Sequence, residues 1–147
     1  MHISLRPEPF DPWEEIRSFQ ENHVAHTGKF GATACFVGTM RDFNEYSQVS
    51  SMELEYYPGM TELQIEAIVR KAKERWSVLE VLVIHRVGEI TPQQAIVVIA
   101  VWAAHRGSAC DAARHILEEL KSSAPFWKNE RLADNRSRWV QSNTSGY

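Results

Sequence analysis

The sequence has little of what marks several large classes of protein. Its 147 residues include only two cysteines, Cys35 and Cys110, and neither stands in a CxxC or another metal-ligand spacing. No apolar run reaches the roughly 18 residues that cross a bilayer, and the N-terminal "MHISLRPEPF" lacks the apolar segment of a secretion signal. We therefore expect a cytoplasmic protein with no membrane partner. Its two thiols are expected to be reduced core residues, and a disulfide is the alternative.

The sequence also lacks an excess of basic residues. Sixteen Lys and Arg residues stand against 19 Asp and Glu residues, which gives a formal net charge of −3. A general nucleic-acid binder normally has a basic excess, so we expect no nucleic-acid partner, and the charge disfavours the alternative of an RNA-binding α+β domain. The sequence contains no Walker loop, no nucleotide-binding glycine fingerprint and no metal spacing. Any anion site must therefore be a local cluster of cations.

The hydrophobic pattern that is present predicts a single α+β domain over residues 1–147. The predicted elements are, in chain order, a helix beginning at Asp11 and Pro12, strands over 33–39 and 49–57, a helix from Thr61 to Trp76, strands over 78–88 and 95–104, and a helix over Ser108–Lys121. Helices separated by pairs of strands favour a sandwich with a mainly antiparallel sheet.

Several local signals complete the predicted layout. Thr61 and Gln64 fit a capping box, and Ser108 is a good N-cap for the last helix. The polar segment "RDFNEYSQ" is predicted to be a loop and "EITPQQ" a turn. From about residue 131 the chain is polar, and we expect a mobile tail in which only Trp139 and Val140 are anchored.

The stretch "LKSSAPFWKNE" places two of the chain's five lysines, Lys121 and Lys128, around a stiff apolar elbow. Pro125 stiffens this elbow, and the aromatic residues after it can anchor the chain in apolar surface. A lysine held beside another cation in a partly dry pocket loses its proton readily and can act as a base or nucleophile. The alternative is a helix end that simply folds over the core, with Lys121 complementing the helix dipole.

A second cation cluster lies where a buried strand meets a helix, in "WAAHRGSACD". His105 and Arg106 stand in this joint, where free backbone N–H groups and the helix dipole favour an anion. The guanidinium of Arg106 suits a phosphate bidentately. A solvated loop with a chance His-Arg pair is the alternative.

Two further segments carry polar side chains near strand ends. Arg41 and Asn44 follow directly on the strand over 33–39, in a position where scaffolds often present functional groups, although an ordinary hairpin loop is the alternative. His85, near the end of the strand over 78–88, is interpreted as a hydrogen-bonded structural histidine rather than as a ligand. The residues alone thus predict a pocket for a phosphorylated or carboxylated small molecule, and its candidate lining is Arg41, His105, Arg106, Lys121 and Lys128.

Five blocks of the sequence, in this order and at this spacing, resemble the large, catalytic subunit of molybdopterin synthase. They are "GATACFVGTMRDFN", "LEYYPGM", "IHRVGEI", "AAHRGSACDAA" and "LKSSAPFWKNE", and they span about residues 30–130. The resemblance implies a sandwich of the α/β hammerhead type and a homodimer of large subunits. It also implies a small ubiquitin-like sulfur carrier at each end, which makes a heterotetramer.

The resemblance also implies a reaction. The carrier's C-terminal Gly-Gly thiocarboxylate enters a pocket of the large subunit, where its sulfur passes to cyclic pyranopterin monophosphate. Two such transfers build the dithiolene of molybdopterin for the molybdenum cofactor. This chain ends in "TSGY", so it is not the carrier. The partner supplies the sulfur, so the resemblance implies no cofactor, no metal and no catalytic cysteine.

The resemblance assigns a role to each candidate residue. Lys121 and Lys128 match the two catalytic lysines, with Lys121 as general acid/base or charge stabiliser. Arg41, His105 and Arg106 match residues that hold the phosphate and pterin of the substrate. The tail arginines are predicted either to be solvated or to reach the pocket of a neighbouring subunit; they are Arg131, Arg136 and Arg138. A non-catalytic scaffold of the same fold remains the competing hypothesis.

Overall fold

The computed structural model describes residues 1–44 and 47–140. Its elements are β1 (His2–Arg6), α1 (Pro12–Phe19), β2 (Ala32–Thr39), β3 (Phe43–Asn44), β4 (Ser47–Tyr56), α2 (Met60–Arg75), β5 (Val78–Arg86), β6 (Gly88–Ile90), β7 (Ala95–Ala103), α3 (Arg106–Ser123), β8 (Phe126–Leu132) and β9 (Ser137–Trp139). A π-helical turn and a short 3₁₀ segment continue α1 as far as Thr27. The predicted α+β class is confirmed.

The first sheet has the strand order β1-β5-β7-β2 and forms the centre of the molecule. Its pairs are antiparallel except for β1, which runs parallel to β5. Helices α2 and α3 cover one face of this sheet, where Val83 and Ile99 are fully buried, and the α1 segment covers the other, where Trp102 is fully buried. Because β7 is covered on both faces, it forms from a continuous apolar run, as the sequence predicted.

The second sheet has the order β3-β4-β8-β9, with β6 also paired to β4. Strand β4 alternates as predicted: Met52 and Leu54 are buried, whereas Glu53 and Glu55 are exposed. The buried side chains form a separate small core together with Val87, Ile90 and Met40. Both sheets are therefore mainly antiparallel, in agreement with the predicted sandwich.

Five strands of the described residues were missed because their sequences are short or polar. They are β1, β3, β6, β8 and β9. The segment treated as a tail from about residue 131 begins with the last two residues of β8, and β9 follows it by pairing with β8. Strand β3 lies in the predicted loop, and the last seven residues of the predicted tail lie outside the described part of the chain.

The N-caps of α2 and α3 were predicted at the wrong residues, whereas Asp11 caps α1 as predicted. Helix α2 is capped at Gly59, whose N–H donates to Glu62 at 2.7 Å. Thr61 is instead buried and bonded to other segments. Helix α3 begins at Arg106 with His105 as its N-cap, so Ser108 lies inside the helix. The apolar stripes of both helices are nevertheless buried as expected.

The two cysteines are free but are not core residues. Cys35 lies on the sheet-edge strand β2 and Cys110 on α3, and both are exposed. The prediction that they are buried is therefore wrong, and the alternative of a disulfide between them is not realised. Within residues 1–44 and 47–140, no helix is long and apolar enough to span a bilayer.

Candidate active site

A pocket of about 300 Å³ lies where the two sheets meet the C-terminal end of α3. Its wall is built from the end of β2 and the segment after it, from β4, from the end of β5, from the start of β7, from the last turns of α3 and from β8. Apolar side chains such as Phe36, Met52 and Leu120 line part of it, and several charged side chains line the rest. This combination of apolar surface and a few polar groups is typical of a small-molecule site.

Lys121 and Lys128 both line this pocket, as the elbow in the sequence predicted. Lys121 lies in the last turn of α3, and Lys128 lies on β8. Burial lowers the pKa of Lys128, the positive charge of Lys121 lowers it further, and Glu130 opposes the shift. Lys128 therefore releases its proton more easily than an ordinary lysine.

Two contacts hold the elbow between the lysines. The Thr61 hydroxyl accepts a hydrogen bond from the Tyr57 N–H at 3.0 Å and donates one to the Pro125 carbonyl at 3.3 Å. The Phe126 ring stacks on the His85 ring, with centroids 4.2 Å apart and planes 15° from parallel. The elbow is thus anchored to α2 and β5 between the helix that carries Lys121 and the strand that carries Lys128.

A hydrogen-bonded carboxylate completes the wall beside Lys128. Glu130 is buried, and its Oε1 accepts a hydrogen bond from the side-chain amide of Asn44 at 2.6 Å. Its Oε2 accepts one from Arg138 Nε at 2.9 Å, and Arg138 Nη2 donates to the Asn44 carbonyl at 3.0 Å. Glu130 is a site residue that was not predicted from the sequence. The alternation of Lys128 and Glu130 could have revealed it, had β8 been recognised as a strand.

The other three predicted site residues divide into two groups. Arg41 lines the pocket, with its guanidinium carbon 5.0 Å from the centre of the Phe43 ring. His105 and Arg106 are exposed at the opposite end of α3. Arg106 and Lys121 are 15 residues apart on this helix, or roughly 22 Å at the usual rise per residue. One chain therefore brings together Arg41, Lys121 and Lys128, and it leaves His105 and Arg106 outside this pocket.

The described part of the chain contains no group of three or more His, Cys, Asp and Glu side chains placed to hold a metal ion. Of the tail arginines, Arg138 donates a hydrogen bond to Glu130, which lines the pocket. Arg136 forms an exposed ion pair with Asp134, and Arg131 is exposed on β8.

Comparison with known proteins identifies the family of this chain. The family model described as "MoaE protein" matches residues 5–123. A molybdopterin synthase catalytic subunit from Ralstonia nicotianae is 46% identical over 138 residues, which are 94% of this chain and 76% of that protein. The solved structure of a molybdopterin biosynthesis MoaE protein from Burkholderia ambifaria has a TM-score of 0.78 at 40% identity, covering 97% of this chain and 90% of the other.

A more distant structure shares the fold. It is described as a protein–protein complex of subunits 1 and 2 of molybdopterin-converting factor from Helicobacter pylori. Its matching chain has a TM-score of 0.79 at 22% identity, covering 97% of this chain and 92% of that one. Given the match to the family model and the identity to curated relatives over most of its length, the chain belongs to the MoaE protein family.

Proposed function

We propose that this chain is the catalytic subunit of a molybdopterin synthase. It takes sulfur from the C-terminal thiocarboxylate of a small ubiquitin-like subunit and transfers it to cyclic pyranopterin monophosphate, forming the dithiolene of molybdopterin. The observation that carries the proposal is the convergence of Lys121 and Lys128 on one partly apolar pocket in a chain of this family. The proposal extends to this chain the activity by which its curated relatives are named.

The charges of the pocket suit the two proposed reactants. A thiocarboxylate and a phosphate are both anions, and Arg41, Lys121 and Lys128 supply three cationic groups around one cavity. Fixed charges of this kind stabilise charge that develops during reaction, because the site need not reorganise. The pocket volume of about 300 Å³ is at the lower end of the range for small-molecule sites.

The two lysines are proposed to have different roles. Lys128 has the lowered pKa, so it exchanges a proton with the substrate more readily than an ordinary lysine does. Lys121 is more exposed, at the helix end, and in the proposal it stabilises the anion formed during attack and loss of oxygen. Glu130 limits how far the pKa of Lys128 falls.

The remaining predicted residues fit the proposal only in an oligomer. His105 and Arg106 lie too far along α3 to reach the pocket of their own chain, so in this proposal they hold the substrate in the pocket of a second large subunit. A homodimer with one small subunit at each end satisfies this requirement. The Helicobacter pylori complex of subunits 1 and 2 supports the presence of a small partner.

A reconstituted turnover tests the proposal. The chain is mixed with a thiocarboxylated small subunit and cyclic pyranopterin monophosphate, and the dithiolene product is detected after oxidation to a fluorescent derivative. Product that depends on this chain is expected. The variant Lys121→Ala should lose about 100-fold or more in rate, the usual cost of removing one charge-stabilising group.

The matched control is Lys71→Ala, which removes an exposed lysine of α2 outside the pocket. It should turn over at the wild-type rate. If the wild-type chain folds and binds the small subunit but makes no product, the synthase proposal fails and a scaffold role replaces it.

A further inference from the structure

His85 is a buried polar residue of the pocket wall to which the proposed function assigns no role. It lies on β5 with 9% of its surface exposed, and it lines the same cavity as the two lysines. Its ring is fixed on one side by the stacked ring of Phe126. The imidazole therefore has a defined orientation, and its two nitrogens have defined surroundings.

The hydrogen bond of Nδ1 determines where the ring carries its proton. Nδ1 lies 2.8 Å from the carbonyl oxygen of Arg86. A carbonyl only accepts, so Nδ1 must carry a hydrogen, and in a neutral ring Nε2 then bears a lone pair.

The carbonyl that accepts this proton belongs to a braced segment. The Arg86 guanidinium is itself buried, and it donates to the carbonyls of Pro7 at 2.9 Å and Glu89 at 2.6 Å. These two bonds connect the end of β5 to two other segments, which are the chain after β1 and strand β6. The residue whose backbone oxygen fixes the tautomer of His85 is therefore tied by its side chain to both segments.

The surroundings keep the ring neutral. Burial lowers the pKa of His85 to about 4, and the positive charge of Lys128 contributes to the decrease. The other charged groups that line the cavity are Arg41, Lys121 and Glu130. Within residues 1–44 and 47–140, Nε2 has no hydrogen-bond partner. The ring thus places an acceptor in a wall whose protonated lysine and arginine side chains only donate, beside a carboxylate whose two oxygens already accept from Asn44 and Arg138.

We propose that Nε2 of His85 accepts a hydrogen bond from a ring N–H of the substrate and so orients the pterin against Lys128. The inference rests on the proposed function, which supplies a substrate rich in N–H donors. It assigns to His85 a task that the charged residues cannot perform. Lysine and arginine side chains bind the anionic end of such a molecule, but only an acceptor recognises the N–H edge of its ring.

Enzyme kinetics of two variants test this proposal. His85→Phe keeps a ring to stack on Phe126 but removes the acceptor, so the KM for the pterin should rise about ten-fold, as expected for loss of one hydrogen bond. The KM for the thiocarboxylated subunit should not change. His85→Gln places an amide oxygen near the position of Nε2 and should recover part of the loss. A folded His85→Phe variant with a pterin KM within two-fold of wild type would overturn the proposal.

Nitrogen-15 NMR of the wild-type chain gives an answer that does not depend on turnover or on the folding of a variant. At pH 7 the His85 ring should show a protonated Nδ1 and an unprotonated Nε2, and the Nε2 resonance should shift when the pterin is added. A proton on Nε2, or no shift at saturating pterin, would contradict the proposal. If wild-type turnover is absent while Nε2 still responds to the pterin, the proposed function fails and the assignment of His85 as a ligand-binding group stands.

Discussion

Arg138 Nε donates a hydrogen bond to Glu130 Oε2 at 2.9 Å and thereby joins β9 to β8 in the wall of the pocket. The other oxygen of Glu130 is bonded to Asn44. The carboxylate is buried, so it needs both partners to offset the loss of hydration. Its charge also raises the pKa of Lys128. One residue therefore contributes both to the stability of the second sheet and to the protonation of a candidate catalytic group.

The variant Glu130→Gln should separate these two contributions. It removes the charge but keeps the size of the side chain, so the free energy of unfolding should fall by about 1–3 kcal/mol, as for hydrogen bonds to charged groups. The pKa of Lys128 should fall further. Urea unfolding measures the first effect. The control is Glu66→Gln, which removes an exposed ion pair with Arg70 and should cost less than about 0.5 kcal/mol. Equal effects of the two variants would contradict a special role for Glu130.

The interaction between the two lysines predicts that the pKa of Lys128 depends on the charge of Lys121. Removing the charge of Lys121 in the variant Lys121→Met should raise the pKa of Lys128 toward its ordinary value, because that charge disfavours the ammonium form. The variant Lys121→Arg keeps the charge and should leave the pKa of Lys128 low. Titration of isotope-labelled lysine resonances by NMR measures the difference. A pKa of Lys128 that is the same in both variants would mean that the two lysines do not interact.

The sequence predicted the parts of the fold that depend on long periodic segments. The buried run of β7 and the apolar stripes of α2 and α3 lie where the hydrophobic pattern places them. The missed strands β8 and β9 are largely polar. Strand β8 forms because β4 offers it a partner, and β9 forms because β8 does, rather than because of their own composition. Tertiary pairing of this kind leaves little trace in the local sequence.

The same difference between local sequence and tertiary pairing explains which residues of the site could be predicted. Lys121 and Lys128 flank one short elbow, so their convergence could be predicted from a single stretch. Glu130 and Arg138 meet only because β8 and β9 pair, and that pairing was not foreseen. Their charge alone predicted His105 and Arg106 to lie with the two lysines. Arg106, however, begins the 18-residue helix α3, and Lys121 lies in its last turn.

Gly31 marks a close approach that the fold requires just before β2. Its N–H donates to the Ala103 carbonyl at 3.0 Å, and a Cβ added at Gly31 would lie 2.6 Å from the Ala104 carbonyl oxygen. The variant Gly31→Ala must move the backbone beside the N-cap of α3, and it should lower the free energy of unfolding by about 1–3 kcal/mol. Thermal or urea unfolding measures this loss.

The control for this variant is Gly107→Ala, in the first turn of α3. No heavy atom lies within 4 Å of a Cβ added there, and alanine favours the helix by up to about 1 kcal/mol. This variant should be as stable as wild type or slightly more stable. If Gly31→Ala were equally harmless, the approach of the two chain segments would be less tight than the structure has it.

The lowered pKa of His85 predicts that part of the free energy of unfolding is lost in acid. Its pKa is about 4 in the folded chain against an ordinary value of 6.5, so the unfolded chain binds more protons between these two values. The free energy of unfolding should therefore fall as the pH drops from about 6.5 to about 4, by about 3 kcal/mol for this group, and should not change further below that range. In His85→Phe this component should be missing. Urea unfolding of both proteins at pH 7 and pH 4.5 measures it, and an equal loss in the two proteins would contradict the assignment.

Mixed dimers test whether one pocket uses residues of two chains. In the proposed dimer, Arg106→Ala and Lys121→Ala are each inactive as pure proteins, because every pocket lacks one group. A dimer with one chain of each kind has one pocket with Lys121 from the first chain and Arg106 from the second. Random mixing makes about half of the dimers mixed, so about a quarter of the wild-type activity should return.

Mixing Lys121→Ala with Lys128→Ala is the control. These two lysines line the same pocket of one chain, so every pocket of every dimer lacks one of them. Activity that returns in the first mixture but not in the control would assign Arg106 to the neighbouring pocket, and no recovery in either would confine each site to a single chain.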